Sequence, residues 1–126
     1  MAQTCAILRY LGSVHKGRNG EDLYPGLRNP DLSYEIDEMM DKNGDRFLKW
    51  MNFFLPLMPE YKNKDEHFLT WITKTMPQWM EELEAGIVKN KGKYLLGSKI
   101  TIADIQTYSV FFKLATNEKF EHNLII

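Results

Sequence analysis

The sequence predicts an all-α fold. Several stretches carry apolar residues at spacings of three and four, and no stretch shows the apolar–polar alternation of a strand. Asn63 and Thr101 are each followed three positions later by an acidic residue and then by an apolar run, which is the pattern of a helix start. With 126 residues, 44% hydrophobic and 26% charged, the chain has the size and composition of one globular domain.

The first helix is predicted to run from about Thr4 to His15. Its apolar positions, at helical spacing, are Ile7, Leu8, Leu11 and Val14. Residues 16–30 follow, and their polar and glycine-rich composition predicts a linker.

The second helix begins at Pro30-Asp31, where acidic residues crowd the first turns as the helix dipole favours. One apolar stripe runs through Asn43 and comprises Ile36, Met40, Phe47, Met51 and Phe54. Pro56 and Pro59 are expected to end this helix, and Gly44 to mark a bend within it.

Asn63 and Glu66 predict the start of a third helix, which Lys91-Gly92-Lys93 closes. Its stripe comprises Phe68, Leu69, Ile72, Met76, Trp79, Met80, Leu83 and Ile87. Because this pattern continues past Pro77, the proline is predicted to kink the helix rather than end it.

The last helix is predicted to begin at Thr101. The Thr101 hydroxyl would accept from the N–H of Asp104, and the Asp104 carboxylate would reach back to the N–H of Thr101. Ile100 and Ile105 occupy the positions of a hydrophobic staple. An ordinary capped helix in any α-helical protein would give the same pattern.

Composition excludes several classes of function. The net charge is −1 and no sustained basic run occurs, which argues against a nucleic-acid binder. The single cysteine, Cys5, excludes an intramolecular disulfide and is compatible with a reducing compartment. Neither a membrane-spanning run nor a signal peptide is evident, so we expect a cytoplasmic protein that does not enter membranes.

No metal site is expected. Asp41, Asn43 and Asp45 match the first positions of a calcium-binding loop, but Arg46 stands where glycine is needed and Asn52 where a bidentate glutamate is needed. The histidines, His15, His67 and His122, are too far apart in sequence to form a ligand set.

Other chemistry-bearing residues have a structural interpretation beside the functional one. Cys5 lies near a helix start, where some transferases place a catalytic cysteine, but its position does not match that residue and we interpret it as a small packing residue. The tryptophans and methionines could line an apolar pocket, although core packing is the commoner role at this spacing.

Two motifs together resemble the glutathione transferase superfamily. The run Tyr94-Leu-Leu-Gly-Ser-Lys-Ile-Thr-Ile-Ala-Asp-Ile105 resembles the entry to helix 6 of that family. The run Gln3-Thr-Cys-Ala-Ile-Leu-Arg-Tyr-Leu11 resembles the glutamine–serine/threonine element that opens its helix 3. Both occur in the order of the family.

The resemblance implies a helical bundle of the transferase C-terminal domain type. Residues 1–16 would be the last helix of a thioredoxin-like domain, residues 17–30 a linker, and residues 31–126 an incomplete C-terminal domain. The chain would then be truncated at both ends. It would lack the residue that activates the glutathione thiol, because Tyr10, Ser13, Tyr24 and Tyr34 do not match that position.

The implied activity is conjugation of reduced glutathione, a co-substrate rather than a cofactor, to small hydrophobic electrophiles. Gln3 and Thr4 would bind its γ-glutamyl group. Asp45 would reach its amino group across a homodimer formed by the first two helices, unless Asp45 is a solvated surface residue. Met51, Phe54 and Leu55 would line the electrophile site.

Two rival hypotheses remain open. One is a non-catalytic interaction module with this fold, and the other is an all-α bundle related neither to the transferases nor to such modules. The resemblance also implies that the sheet on which the first helix packs is absent, so an apolar face of this helix that includes Ile7, Leu11 and Val14 is expected to be exposed and to favour association.

Overall fold

The computed structural model describes residues 2–52, 64–91 and 93–115. Its helices are α1 (Ala2–Val14), α2 (Pro30–Asn52), α3 (Lys64–Thr70), α4 (Met76–Lys89) and α5 (Ile102–Ala115), with a 3₁₀ turn at Gly26–Arg28 and a π-helical segment at Trp71–Thr75. In these ranges no strand occurs, and the only β pairing is that of isolated bridges. The predicted all-α fold is confirmed.

The core has two apolar clusters that meet along α2 and α5. The cluster at the start of α2 packs against α1 and the start of α5, and contains Cys5, Ile36, Met40, Ile102 and Ala103. The cluster at the end of α2 packs against α4 and contains Phe47, Trp71, Trp79, Leu83, Leu95 and Val110. The predicted stripe of α2 is thus buried at its first three positions, and α2 is helical through Gly44. The side chains of Met51 and Phe54, and the proposed stops Pro56 and Pro59, lie outside the described residues.

A π-helical turn precedes Pro77. The N–H of Met76 donates to the carbonyl of Trp71, five residues earlier. Pro77 has no N–H to donate, and its ring crowds the carbonyl four residues before it, so the wider turn accommodates the proline within a continuing helix. The extra residue shifts the apolar phase, and Trp71 is buried while Leu69 is 61% exposed. The predicted stripe was therefore wrong at Leu69.

Two further residues of the predicted stripe are exposed. Met80 and Ile87 lie at the edge of the face of α4 that carries Trp79 and Leu83. Only that narrower face packs against α2 and α5. The helical spacing of apolar residues therefore predicted more buried positions on α4 than the structure has.

A buried polar network joins α2, α4 and α5. The side chain of Asn43 is fully buried, its Nδ2 donates to Thr107 Oγ1 (2.7 Å), and its Oδ1 accepts from Trp79 Nε1 (3.0 Å). The Thr107 hydroxyl donates to the carbonyl of Ala103 at 2.8 Å. Because buried amides require such partners, the network fixes the relative positions of the three helices.

Helix α1 is held against α2 by an ion pair. Arg9 Nε donates to Asp37 Oδ1 at 2.6 Å, and the Tyr24 hydroxyl donates to Asp37 Oδ2 at 3.0 Å. The Asp37 carboxylate raises the pKa of Arg9. Burial, together with this hydrogen bond, raises the pKa of Tyr24. Arg9 therefore stays charged and Tyr24 stays protonated at neutral pH, as the contact requires.

Gly12 allows α1 to approach the start of α5. A Cβ at this position would lie 2.6 Å from Ile102 Cγ2 and 3.0 Å from Tyr24 Cβ. The Gly12 carbonyl also accepts from the N–H of Tyr24 at 3.1 Å. A larger residue at position 12 would have to displace one of these neighbours.

The segment between α1 and α2 follows the surface of both α1 and α5. The Gly17 N–H donates to the Glu21 carbonyl (2.9 Å), and Asp22 accepts from Lys16 Nζ and from Arg28 Nη2. The hydrogen bond from Lys16 lowers the pKa of Asp22.

None of the described helices combines the length and the apolar composition that a membrane-spanning helix needs.

Candidate functional site

The first turn of α5 is held by one carboxylate. Asp104 Oδ2 accepts from the N–H of Thr101 at 2.8 Å, the bond predicted from sequence. The Thr101 hydroxyl lies 3.0 Å from the same oxygen and donates to it, a bond that the sequence did not predict; its role as an acceptor from the Asp104 N–H stays a prediction. An ionised carboxylate accepts only, and the hydroxyl hydrogen turns toward it.

Asp104 also holds the loop that leads into α5. Its Oδ1 accepts from the N–H of Leu95 at 2.9 Å, and the Leu95 carbonyl accepts from Asn90 Nδ2 at 2.6 Å. The next N–H of the helix, that of Ile102, donates to the Leu23 carbonyl at 3.0 Å. Ile100 and Ile105, the predicted staple, are both half-buried. The groups at this helix start therefore bond to other parts of the same chain and stabilise the fold.

The first turn of α1 is different, because it faces outward. Gln3 and Thr4 are both exposed, and the turn carries no acidic residue. Backbone N–H groups in a first helical turn have no partner within the helix, and the helix dipole favours a negative group there. The arrangement is suited to a carboxylate ligand.

Thr4 also lies at the edge of a cavity between α1, α2 and α5. Its volume is about 290 Å³ and its walls are Thr4, Cys5, Leu8, Phe47, Gln106, Ser109 and Val110. Cys5 is buried, and its sulfur accepts from Gln106 Nε2 at 3.4 Å. Sequence inspection gave no indication of Gln106, because a single polar residue on a mostly apolar helix carries no pattern.

Asp45 lies in the wall of a second cavity, on the other side of Cys5. That cavity has a volume of about 440 Å³ and charged walls, comprising Cys5, Arg9, Met40, Asp41, Gly44, Asp45 and Leu48. Asp45 is exposed on α2. Thr4 and Asp45 thus belong to different cavities that share one wall residue. Met51 is in the last turn of α2, but its side chain, with Phe54 and Leu55, lies outside the part of the chain that the structure describes.

Tyr24 and Ser13, two of the hydroxyl residues that the sequence offers for activation of a thiol, have partners within the chain. The Tyr24 hydroxyl donates to Asp37, and the Ser13 hydroxyl donates to the carbonyl of Tyr10 at 2.8 Å. The rings of Tyr10 and Tyr34 are exposed. Activation of a thiol needs a donor that is directed at the sulfur, and the hydrogens of Tyr24 and Ser13 are directed elsewhere.

One face of α1 is apolar and exposed. Its residues recur at helical spacing and are Ile7 (57% exposed), Tyr10 (67%), Leu11 (43%) and Val14 (54%). The opposite face of α1 carries Cys5 and Leu8 and packs against the core. The exposure predicted for Ile7, Leu11 and Val14 is confirmed.

A family model described as "Glutathione S-transferase, C-terminal domain" matches residues 37–124, more than half of the chain. The chain belongs to this family. No curated protein and no solved structure matches it. The matched range begins inside α2 and includes α3, α4 and α5, and therefore the capped start of α5. Helix α1, with Gln3 and Thr4, precedes it.

Proposed function

We propose that this chain is the glutathione-recognising part of a cytoplasmic glutathione transferase, which conjugates reduced glutathione to small hydrophobic electrophiles. The observation that carries the proposal is the exposed pair Gln3 and Thr4 on the first turn of α1, a turn without an acidic residue. The family match over residues 37–124 supports the proposal, because α1 packs against helices of that range.

The chemistry of the pair fits the γ-glutamyl end of glutathione. The α-carboxylate would take hydrogen bonds from the Thr4 hydroxyl and from free backbone N–H groups, which the helix dipole strengthens. The Gln3 amide oxygen would accept from the ammonium group. Asp45 would add a carboxylate for that ammonium across a dimer. The electrophile would lie against Met51, Phe54 and Leu55.

The domain arrangement is part of the same proposal. Residues 1–16 would belong to a thioredoxin-like unit, residues 17–30 to a linker and residues 31–126 to the helical domain. Dimerisation would involve the first two helices. The exposed apolar face of α1 supports an association of this kind, because burying such a face is favourable.

A second candidate is a non-catalytic interaction module with the same fold. The observation in its favour is again the face formed by Ile7, Tyr10, Leu11 and Val14, which would dock on a partner protein. The two candidates differ in their need for glutathione. A transferase must bind the tripeptide, whereas a module need not.

Calorimetric titration of the 126-residue chain with reduced glutathione separates the candidates. We expect weak saturable heat in the unmodified chain and its loss in Thr4→Ala, which removes the hydroxyl donor. Thr70→Ala is the matched control, because Thr70 is also an exposed helical threonine and lies far along the chain from α1.

Either result is informative if circular dichroism shows a folded sample. Heat that is lost in Thr4→Ala and kept in Thr70→Ala supports glutathione recognition by α1. An absence of heat contradicts the proposal and favours the interaction module. Equal heat in all three proteins contradicts the proposed role of Thr4.

A further inference from the structure

A third cavity, called here the loop cavity, lies between the segment that joins α1 to α2 and the loop that leads into α5. Its described wall is formed by members of residues 20–32 on one side and of residues 96–101 on the other. Its volume is about 430 Å³, within the range of ligand sites, which is about 300–1,000 Å³. None of the residues proposed to contact glutathione belongs to this described wall.

The described wall of the loop cavity has two cationic side chains and one carboxylate. Arg28 and Lys99 are exposed, and Asp22 is half-buried. Asp22 accepts from Arg28 Nη2 at 3.0 Å and also from Lys16 Nζ, which lies outside this wall. The hydrogen bond from Lys16 and, to a lesser extent, the charges of Arg28 and Lys99 lower the pKa of Asp22. Because Lys16 compensates the Asp22 carboxylate, the charges of Arg28 and Lys99 remain for a ligand.

Several donor groups of this wall are not used within the described part of the chain. Arg28 donates there through Nη2 alone, so its Nε and Nη1 remain available. The Lys99 ammonium group and the hydroxyl of the exposed Ser98 donate to no described residue. Glu21 is within electrostatic range of Lys99, but its carboxylate accepts from Asn19 and is not part of the described wall.

We propose that the loop cavity binds a small phosphate monoester, with Arg28, Lys99 and Ser98 donating to the phosphoryl oxygens. A phosphoryl group carries a charge of about −1.5 to −2 at pH 7 and has three acceptor oxygens. It therefore matches the two remaining cations in charge and the three side chains in number of acceptors. The planar guanidinium group of Arg28 can bind two of these oxygens at once. A carboxylate has a single charge and fewer oxygens, and so matches this set less well.

The rest of the described wall favours an ester over free phosphate. Leu32 and Leu96 are half-buried and offer apolar surface to a carbon chain. Asn29 Oδ1 accepts from the N–H of Leu32 at 3.2 Å, which leaves its Nδ2 as a donor for a hydroxyl group. A phosphate ion is much smaller than the cavity and would contact only the cationic part of its wall. The inference does not depend on glutathione binding.

Glycerol 3-phosphate, glycerate and inorganic phosphate are matched probes of these two parts of the wall. Glycerate replaces the phosphoryl group by a carboxylate, and inorganic phosphate lacks the carbon chain. We would titrate each into the ¹⁵N-labelled 126-residue chain at neutral pH, without glutathione or phosphate buffer, and follow amide chemical shifts. The expected result is saturable binding of glycerol 3-phosphate, with shifts grouped in residues 20–32 and 96–101. Glycerate and inorganic phosphate should each bind at least about threefold more weakly.

Lys99→Gln tests the location of binding. Lys99 is exposed and forms no ion pair with a described residue, so its replacement should leave the fold intact. Lys49→Gln is the matched control, because Lys49 is also exposed but lies about 25 Å along α2 from Leu32. Glycerol 3-phosphate should bind at least about threefold more weakly in the first variant and equally well in the second. Arg28→Lys keeps the charge but not the planar fork, and should also weaken binding.

The proposal would be overturned by any of four results: no binding of glycerol 3-phosphate, equal binding of inorganic phosphate or of glycerate, unchanged affinity in Lys99→Gln, or an equal loss in Lys49→Gln. The last result would mean that the anion responds only to the net charge of the chain. Because glutathione is absent from the assay, failure here leaves the role of Thr4 to its own titration.

Discussion

The first turns of α1 and α5 are built from the same groups and are used differently. At α5, the N–H groups of Thr101 and Ile102 have partners within the chain, the Asp104 carboxylate and the Leu23 carbonyl. At α1, the first turn has no acidic side chain, and Gln3 and Thr4 face solvent. One helix start completes the fold, and the other exposes Gln3 and Thr4, for which we propose a role in binding a carboxylate.

The difference shows that the free N–H groups and the dipole of a helix start can either stabilise the fold or stay exposed to solvent. Unpaired N–H groups and a positive dipole end occur at every helix start. An acid at the third position of α5 neutralises them locally. The corresponding position in α1 lacks such an acid, so the same attraction is available to a ligand. The following variants test this comparison.

Removal of the α5 carboxylate should have the largest effect. Asp104→Ala deletes the acceptor for the N–H groups of Thr101 and Leu95 and for the Thr101 hydroxyl. We expect a loss of about 3 kcal/mol in the free energy of unfolding, measured by urea denaturation. Asp104→Asn keeps the shape but not the charge and should lose less. An unchanged midpoint in Asp104→Ala would contradict the capping role.

The contact between the two helices should come next in size. Gly12→Ala places a methyl group 2.6 Å from Ile102 Cγ2, whereas Gly44→Ala places one where no atom lies within 4 Å. Both changes raise helix propensity by about 1 kcal/mol. Crowding of about 1–3 kcal/mol opposes the gain only at Gly12. Thermal unfolding should therefore show Gly44→Ala above, and Gly12→Ala below, the unmodified chain; equal stabilisation by both would mean that α1 does not pack closely on α5.

The smallest effect should come from adding an acid to α1. Gln3→Glu puts a carboxylate near the positive end of the helix and should stabilise it by about 0.3–1 kcal/mol at low salt. The same carboxylate should weaken glutathione binding by repelling the α-carboxylate of the ligand. Ser13→Glu, at the other end of the same helix, should be slightly destabilising. If both variants change stability in the same direction, the dipole argument for α1 fails.

The sequence predicted the features that depend on near neighbours. The bond from Thr101 N–H to Asp104 spans three residues, and the buried positions Ile36 and Met40 follow from helical period. The apolar face of α1 was predicted in the same way.

Features that depend on distant contacts were not predicted. The Asp104 bond to Leu95 spans nine residues of loop, and the core role of Asn43 depends on Trp79 and Thr107. A polar residue in an apolar stripe gives no sign of its partners until the helices are placed. Leu69 was wrongly assigned to the buried stripe because the π-helical turn at Trp71–Thr75 shifts the helical period of the apolar residues. No sequence pattern marks such a turn. The Gln106 cavity likewise exists only once three helices meet.

The packing of α1 has a consequence for the order in which the chain folds. Gln106 and Cys5, which touch, are 101 residues apart, and Gly12 lies against Ile102. On the ribosome, α1 emerges long before α5, the helix that supports it. Contacts of such separation form slowly because a long loop must close first. During synthesis both faces of α1 would therefore be exposed, the one that packs against the core and the apolar one. A chaperone that binds exposed apolar segments would bind α1 most readily in this interval.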